Sequence, residues 1–168
     1  MSLSLLNLTR QLDPLITRAH SGREFQGRQQ DMFKTIAVPF DLAHADKQIR
    51  AIDTAADLAK LYGASLTLVG VTSNMPGSSA HNPKEFADKL VEYAKTQSAR
   101  TGVTFETHSS VSHDIAIDLE KKLNEAVHEI GADLVVMASH VPGFRDYLFR
   151  SHASNLATHT DLSVMIVR

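Results

Sequence analysis

Short apolar segments alternate with amphipathic ones from residue 33 onward, and this alternation limits the folds open to the chain. Five segments have the length and apolar character of buried strands, namely residues 33–39, 65–71, 103–108, 133–138 and 162–167. The stretches between them carry apolar residues at helical spacing. Strands that alternate with helices form parallel sheets, and right-handed crossovers place the helices on both faces. The sequence therefore predicts an α/β fold: a doubly wound, open, five-stranded parallel sheet with helices on both faces.

Glycines and one asparagine mark the ends of the predicted helices. Gly63, Gly102 and Gly131 each follow a helical apolar pattern, as a C-terminal cap does. Asn82, followed by proline, predicts a helix start, with Glu85 reaching back. Three predicted helices face the core with the following residues: Ile49, Ile52, Ala56 and Ala59 in the first; Phe86, Leu90 and Ala94 in the second; and Ile115, Leu119, Leu123, Ala126 and Ile130 in the third. A fourth helix is predicted near residues 147–159.

Composition excludes several classes of protein. The chain has 168 residues, with 17 basic and 19 acidic side chains and no cysteine. The near balance of charge argues against a nucleic-acid-binding surface. The lack of cysteine excludes disulfide frameworks, thiolate metal sites and cysteine nucleophiles. No apolar run approaches the roughly 20 residues of a membrane span, and we therefore expect a cytoplasmic protein that binds neither nucleic acid nor membranes.

The first 31 residues differ in pattern from the rest of the chain. Five apolar residues recur there at helical spacing, and they are Leu5, Leu8, Leu12, Leu15 and Ala19. A polar, glycine-containing stretch follows, as in a linker. We expect an N-terminal extension, residues 1–31, ahead of one domain, residues 32–168. The extension is either a leader, with Met32 the natural start, or a helix that packs on a partner subunit.

Two loops are the places to look for a ligand. Open parallel sheets bind ligands at the carboxyl ends of strands, where the strand order reverses. The first strand ends in Val-Pro-Phe-Asp, residues 38–41, and the fourth leads into Ala-Ser-His-Val-Pro-Gly, residues 138–143. The loops after these two strands are therefore the candidate site.

At these loops the chain resembles the universal stress protein family. The segments that carry the resemblance are KTIAVPFD at 34–41, GASL at 63–66, GADLVV at 131–136, ASH at 138–140 and SVMIV at 163–167, in register from Met32 to Arg168. The resemblance implies the Rossmann-like fold of that family and a stress-response role. It also implies adenine-nucleotide binding, of ATP or AMP, and a homodimer that pairs through the C-terminal strand.

The loop after the fourth strand departs from the family's nucleotide-binding pattern. That pattern is G-x-x-G, nine residues, then G-[S/T]; Ala138 and Val141 replace the first two glycines, and Arg150 the last. The chain instead fits a branch that reads A-S-H-x-P with a loop one residue shorter. Val141 resists the positive φ that glycine permits, and Pro142 has no N–H donor. Arg150 either blocks the phosphate position or binds it. We expect weak or lost binding of ATP or AMP.

The resemblance assigns candidate residues to two sites. The candidate nucleotide-binding residues are Pro39, Asp41, Val69, Val71, Ala138, Ser139, His140, Arg150, Ser151 and His152. The candidate dimer interface consists of Leu162, Val164, Met165, Ile166 and Val167. This C-terminal strand is apolar and uncharged, and a bare edge of that kind favours pairing with a second copy.

Other functions are weighed against this one. A nucleotide-hydrolysing or nucleotidyl-transferring enzyme on the same fold is the alternative, although the chain has neither a P-loop nor an H-x-G-H motif. An electron-transfer flavoprotein-like domain would need a flavin pocket. A hydrolase built from Ser151, His140 and Asp41 lacks the G-x-S-x-G elbow. A metal site at His140, His152 and His159 lacks a converging carboxylate. We expect a binding protein with no catalytic residues and no metal.

Overall fold

The computed structural model describes residues 32–139 and 162–168. The strands are β1 (Thr35–Pro39), β2 (Ser65–Ser73), β3 (Phe105–Ser112), β4 (Leu134–Ala138) and β5 (Ser163–Val167). The helices are α1 (Ile49–Tyr62), α2 (Pro83–Thr101) and α3 (Ile115–Glu129), and a 3-10 segment, Leu42–Gln48, precedes α1. The predicted extension and the predicted helix near residues 147–159 lie outside the described residues.

All five strands are parallel, in the order β3-β2-β1-β4-β5. The apolar cluster on one face joins the sheet to α1 and α2, and the cluster on the other face joins it to α3. This arrangement confirms the predicted doubly wound sheet with helices on both faces. The strand order reverses between β1 and β4, the two strands whose following loops the sequence singles out.

Alternation along the central strands explains why they read as continuous apolar runs. Ile36 and Val38 of β1 face α1 and α2, whereas Ala37 between them faces α3. In β4, Val135 and Met137 face α3, whereas Leu134 and Val136 face the opposite layer. A strand covered on both faces must be apolar at every position. Buried strands therefore show no period of two in the sequence.

The predicted helix ends are confirmed. Gly63, Gly102 and Gly131 have φ of 67°, 72° and 64°, a left-handed conformation that costs glycine little. The side chain of Asn82 accepts from the backbone N–H of Glu85 at 2.9 Å. Glu85 reaches back, but its carboxylate accepts from the N–H of the residue before Asn82, at 2.9 Å.

Two details of the prediction are wrong. Ile49 is 36% exposed, because it is the first residue of α1 and the buried stretch of that helix begins at Ala51. The third strand starts at Phe105 and continues to Ser112, paired with β2 throughout. Its second half is polar because β3 is an edge strand, so apolar character does not mark its end.

Asp133 fastens β1 to β4 at the amino ends of the strands. Its two carboxylate oxygens accept from the backbone N–H groups of Lys34 at 2.7 Å and Thr35 at 3.1 Å. Its own N–H donates to the carbonyl of Thr35, and its carbonyl accepts from the N–H of Ser163. One residue thus connects three strands, which gives the aspartate of the GADLVV segment a structural role.

Gly70 in β2 allows α2 to pack close to the sheet. A Cβ at this position would lie 2.7 Å from Cε1 of Phe86 and 3.2 Å from Cδ2 of Leu90. Both side chains are buried, so neither can move into solvent. The contact between β2 and α2 therefore requires glycine. Among residues 32–139 and 162–168, no helix has the length and apolar character needed to cross a bilayer.

Candidate functional site

The ladder between β1 and β4 stops before the carboxyl ends of these strands. Their paired residues are Ile36 with Leu134 and Ala37 with Val135. Successive backbone N–H groups of an extended strand point to opposite sides. The N–H of Phe40, the residue after β1, donates to the carbonyl of Val69 in β2 at 2.8 Å. The nitrogen of Pro39 therefore faces β4, and proline has no hydrogen to donate. The two strands are left unpaired at the point where the sheet order reverses.

Asp41 lies directly beyond the carboxyl end of β1, and its carboxylate is held by the loop itself. Oδ1 accepts from the N–H of Ala43 at 2.8 Å, which caps the 3-10 segment. Oδ2 lies 2.7 Å from Nδ1 of His44. The side chains of Asp41 and His44 are both partly exposed. Each carboxylate oxygen has a second lone pair, so a ligand can share the carboxylate with these donors.

Gln48 organises the backbone around Asp41, and the sequence analysis does not identify it. Its Oε1 accepts from the N–H of Asp41 at 3.1 Å. Its Nε2 donates to the carbonyls of Asp41 at 2.7 Å and His44 at 3.0 Å. A glutamine just before a helix usually points into solvent, so no sequence signal marks its burial.

The predicted valines differ in what they can offer a ligand. Val69 pairs with Pro39, but its side chain is fully buried against the α3 layer. Its carbonyl already accepts from Phe40. Val71, two residues further along β2, is half-buried. Of these two, only Val71 presents side-chain surface near the loops.

Ala138 and Ser139 follow the same edge on the β4 side. Ala138 is the last residue of β4 and pairs with Val167 of β5. The N–H of Ser139 donates to the carbonyl of Val167 at 2.9 Å, which continues that ladder by one residue. The remaining candidates are outside the described residues, and they are His140, Arg150, Ser151 and His152. Pro39 and Asp41 follow β1 and Ala138 and Ser139 follow β4, so these four candidates lie at the same carboxyl edge of the sheet.

A small cavity of about 20 Å³ lies under α3 beside Pro39. Apolar side chains of α3 and β4 line most of it, together with Asn124, whose Oδ1 is buried without a hydrogen-bond partner in the described part of the chain. This volume holds about one water molecule. It is too small for a nucleobase.

A larger, open cleft of about 530 Å³ lies on the opposite face, between the 3-10 segment and α2. Lys89 lines this cleft, and its ammonium group already has two partners. Nζ lies 2.7 Å from Oε1 of Glu85 and donates to the carbonyl of Ser79 at 2.8 Å. Hydrogen bonds from Lys89 and from the N–H of His81 lower the pKa of Glu85 to about 2. This ion pair joins the first two turns of α2.

The histidines of the described ranges form no catalytic relay. Ser110 Oγ lies 3.3 Å and Glu129 Oε2 lies 3.4 Å from the same ring nitrogen, Nε2 of His108. A relay needs the serine and the acid on different ring nitrogens. Nor does any group of three or more His, Asp or Glu side chains in residues 32–139 and 162–168 have the arrangement of a metal site.

Comparisons with known proteins agree with the resemblance seen in the sequence. The model of the universal stress protein family matches residues 32–168. Universal stress protein G of Escherichia coli O157:H7 is 27% identical over 146 residues, which is 82% of this chain and 100% of that protein. The Salmonella typhimurium protein of the same name is also 27% identical, with the same coverage.

Solved structures share the fold. A universal stress protein in complex with cAMP has a TM-score of 0.56 at 19% identity, covering 81% of this chain and 97% of that one. A family member from Burkholderia pseudomallei has a TM-score of 0.55 at 24% identity, covering 82% and 97%. The Archaeoglobus fulgidus protein in complex with dAMP has a TM-score of 0.51 at 20% identity, covering 82% and 99%.

Proposed function

The chain belongs to the universal stress protein family, and from that premise we propose that it is a dimeric stress-response module that binds an adenine nucleotide weakly. The observation that carries the proposal is the unpaired carboxyl end between β1 and β4, with Asp41 beside it. Ligands of open parallel sheets bind at such a position. Two proteins with the same fold were solved with cAMP and dAMP, which supports the ligand class.

The loop sequence supports weak binding. Val141 and Pro142 remove the flexible, N–H-rich backbone that a phosphate needs, and Arg150 occupies the third glycine position. The carboxylate of Asp41 already accepts from Ala43 and contacts His44, so a ligand hydroxyl or amine must share it. We propose a dissociation constant for ATP or AMP of about 1 mM, or about −4 kcal/mol.

A titration followed by NMR tests the nucleotide proposal, because chemical shifts report binding at millimolar concentrations. AMP and ATP should perturb the signals of Asp41 and Val71, and Asp41→Asn should weaken the binding. Asp57→Asn, on the exposed side of α1, is the matched control and should leave it unchanged. Perturbations that are absent at 10 mM nucleotide, or equal in the Asp41 and Asp57 variants, would contradict the proposal.

A separate experiment tests for a bound flavin. The purified protein is heated, and the small molecules that it releases are analysed.

The dimer proposal is supported by the contrast between the two edges of the sheet. At β5, Val164, Met165 and Ile166 are 39%, 41% and 38% exposed and carry no charge. The opposite edge, β3, is largely polar and includes Glu106 and His108. Charged edges resist pairing, whereas bare apolar edges favour it. Leu162 and Val167 pack partly against the protein's own layers, so the three exposed residues are the proposed contact with a second copy.

Binding without catalysis is the proposed activity, in a cytoplasmic protein. The serine, histidine and acid at His108 share one ring nitrogen and form no relay. The alternative, a nucleotide-hydrolysing or nucleotidyl-transferring enzyme, predicts turnover of ATP. Release of phosphate or diphosphate at many equivalents per protein, lost in Asp41→Asn, would favour that alternative.

Residues 32–168 are proposed to fold without the first 31 residues, as the extent of the family match supports. A chain that begins at Met32 should unfold cooperatively, with the same midpoint in urea as the full chain. A lower midpoint would assign the extension a structural role, such as packing on the dimer.

A further inference from the structure

Gln48 is a buried polar residue in a segment whose other residues are exposed or only partly buried. It is 1% exposed, whereas its neighbours Lys47 and Ile49 are exposed. Buried amides are costly unless their hydrogen bonds are made. Its side chain makes three hydrogen bonds to the backbone of Asp41 and His44. The side chain thus serves the loop after β1.

The carboxamide of Gln48 binds both backbone groups of Asp41. It accepts from the N–H and donates to the carbonyl of the same residue. This pair of hydrogen bonds holds Asp41 in an extended conformation, with φ of −111° and ψ of 111°. The third bond, to the carbonyl of His44, holds the bend at which φ and ψ leave helical values. The backbone on both sides of the Asp41 carboxylate is therefore fixed.

We propose that Gln48 is a positioning residue for the candidate nucleotide site: it holds Asp41 in its ligand-binding orientation before the nucleotide arrives. This inference rests on the proposed function. A loop that is ordered in advance loses less conformational entropy when a ligand binds. For a site that has lost part of its phosphate cradle, an ordered Asp41 accounts for a larger share of the remaining affinity.

The substitution Gln48→Met tests the inference, because methionine is similar in length and unbranched but makes no comparable hydrogen bonds. Gln97→Met is the matched control. Gln97 is also buried, at 5% exposure, but its oxygen accepts from Arg100 at 2.7 Å on α2. Both variants remove the amide of a buried glutamine: Gln48→Met removes one that contacts the loop after β1, and Gln97→Met removes one that does not.

Hydrogen exchange without nucleotide gives the first measurement. The N–H of Asp41 is held by Gln48, whereas the adjacent N–H of Phe40 is held by Val69. In Gln48→Met the exchange of Asp41 should become at least tenfold faster, with Phe40 unchanged. Equal acceleration of both amides would indicate general destabilisation and would overturn the inference, as would unchanged exchange of Asp41. If Gln48→Met does not fold, Gln48→Ala, which also removes the acceptor of the Asp41 N–H, replaces it.

Affinity for AMP gives the second measurement. Gln48→Met should weaken binding about tenfold, whereas Gln97→Met should leave it unchanged. Faster exchange of Asp41 with unchanged affinity would overturn the positioning role, although the loop contact would stand. A wild-type protein that binds no AMP would instead overturn the proposed function, and exchange alone would then decide whether Gln48 fixes Asp41.

Discussion

Replacing Gly70 by alanine should destabilise the protein, although the same change stabilises many others. The added Cβ would lie 2.7 Å and 2.8 Å from Cε1 and Cζ of Phe86, and 3.2 Å from Cδ2 of Leu90. Overpacking a buried position in this way costs about 1–3 kcal/mol. Removing a glycine offsets about 0.4–1 kcal/mol, because the unfolded chain loses freedom. The midpoints of these two ranges give a net loss in unfolding free energy of about 1.3 kcal/mol.

Urea unfolding followed by circular dichroism measures this loss, and Gly77→Ala is the control. At Gly77 the nearest atom to an added Cβ is the carbonyl oxygen of Ala80, at 4.0 Å. That variant should be as stable as wild type or slightly more stable. In a Phe86→Leu background, Gly70→Ala should cost less, because the ring atoms that clash are gone. A Gly70→Ala variant as stable as wild type, or an equal cost in both backgrounds, would refute the packing argument.

Four further predictions follow from the described contacts and the loop sequence. Asp133→Asn should lower the unfolding free energy by about 0.5–1.5 kcal/mol in urea, because the single amide oxygen replaces two carboxylate oxygens as acceptor for the N–H groups of Lys34 and Thr35. Glu85→Gln should be less stable than wild type at pH 7, and this difference should disappear as pH falls from 4.5 towards about 2, since the lowered pKa stabilises only through the ionised carboxylate. Met165→Lys should shift the sedimentation coefficient towards that of a monomer; an unchanged dimer would exclude pairing through β5. Arg150→Gly combined with Val141→Gly should tighten ATP binding in calorimetry, whereas tight wild-type binding that is lost in Arg150→Gly alone would identify the arginine as a ligand.

The sequence predicts the fold well because strands that are buried on both faces appear in the sequence as continuous apolar segments. Central strands such as β4 must be apolar throughout, and left-handed helix ends such as Gly63 require glycine. The edge strand β3 is harder to recognise in the sequence, because it has a neighbouring strand on one side only and contains many polar residues. Its polar end at Ser112 is therefore set by pairing with β2 and not by composition.

The candidate site is only partly predictable from the sequence. Motif positions identify Asp41 and the edge on which it lies. They do not reveal that His44 and Ala43 already hold the carboxylate, because these are contacts of a loop with itself. The burial of Gln48 depends on where the 3-10 segment turns at His44, and no local pattern encodes that turn.

The short ladder between β1 and β4 divides the sheet into two parts. Two residue pairs join β1 to β4, whereas five join β1 to β2 and five join β4 to β5. The boundary between β3-β2-β1 and β4-β5 is thus the weakest line of backbone hydrogen bonds, and Asp133 secures one end of it. Partial opening of the native sheet should begin at its other end. A ligand that contacts both strands there would add its binding free energy to the cost of opening, so occupancy and the mechanical strength of the sheet would rise together.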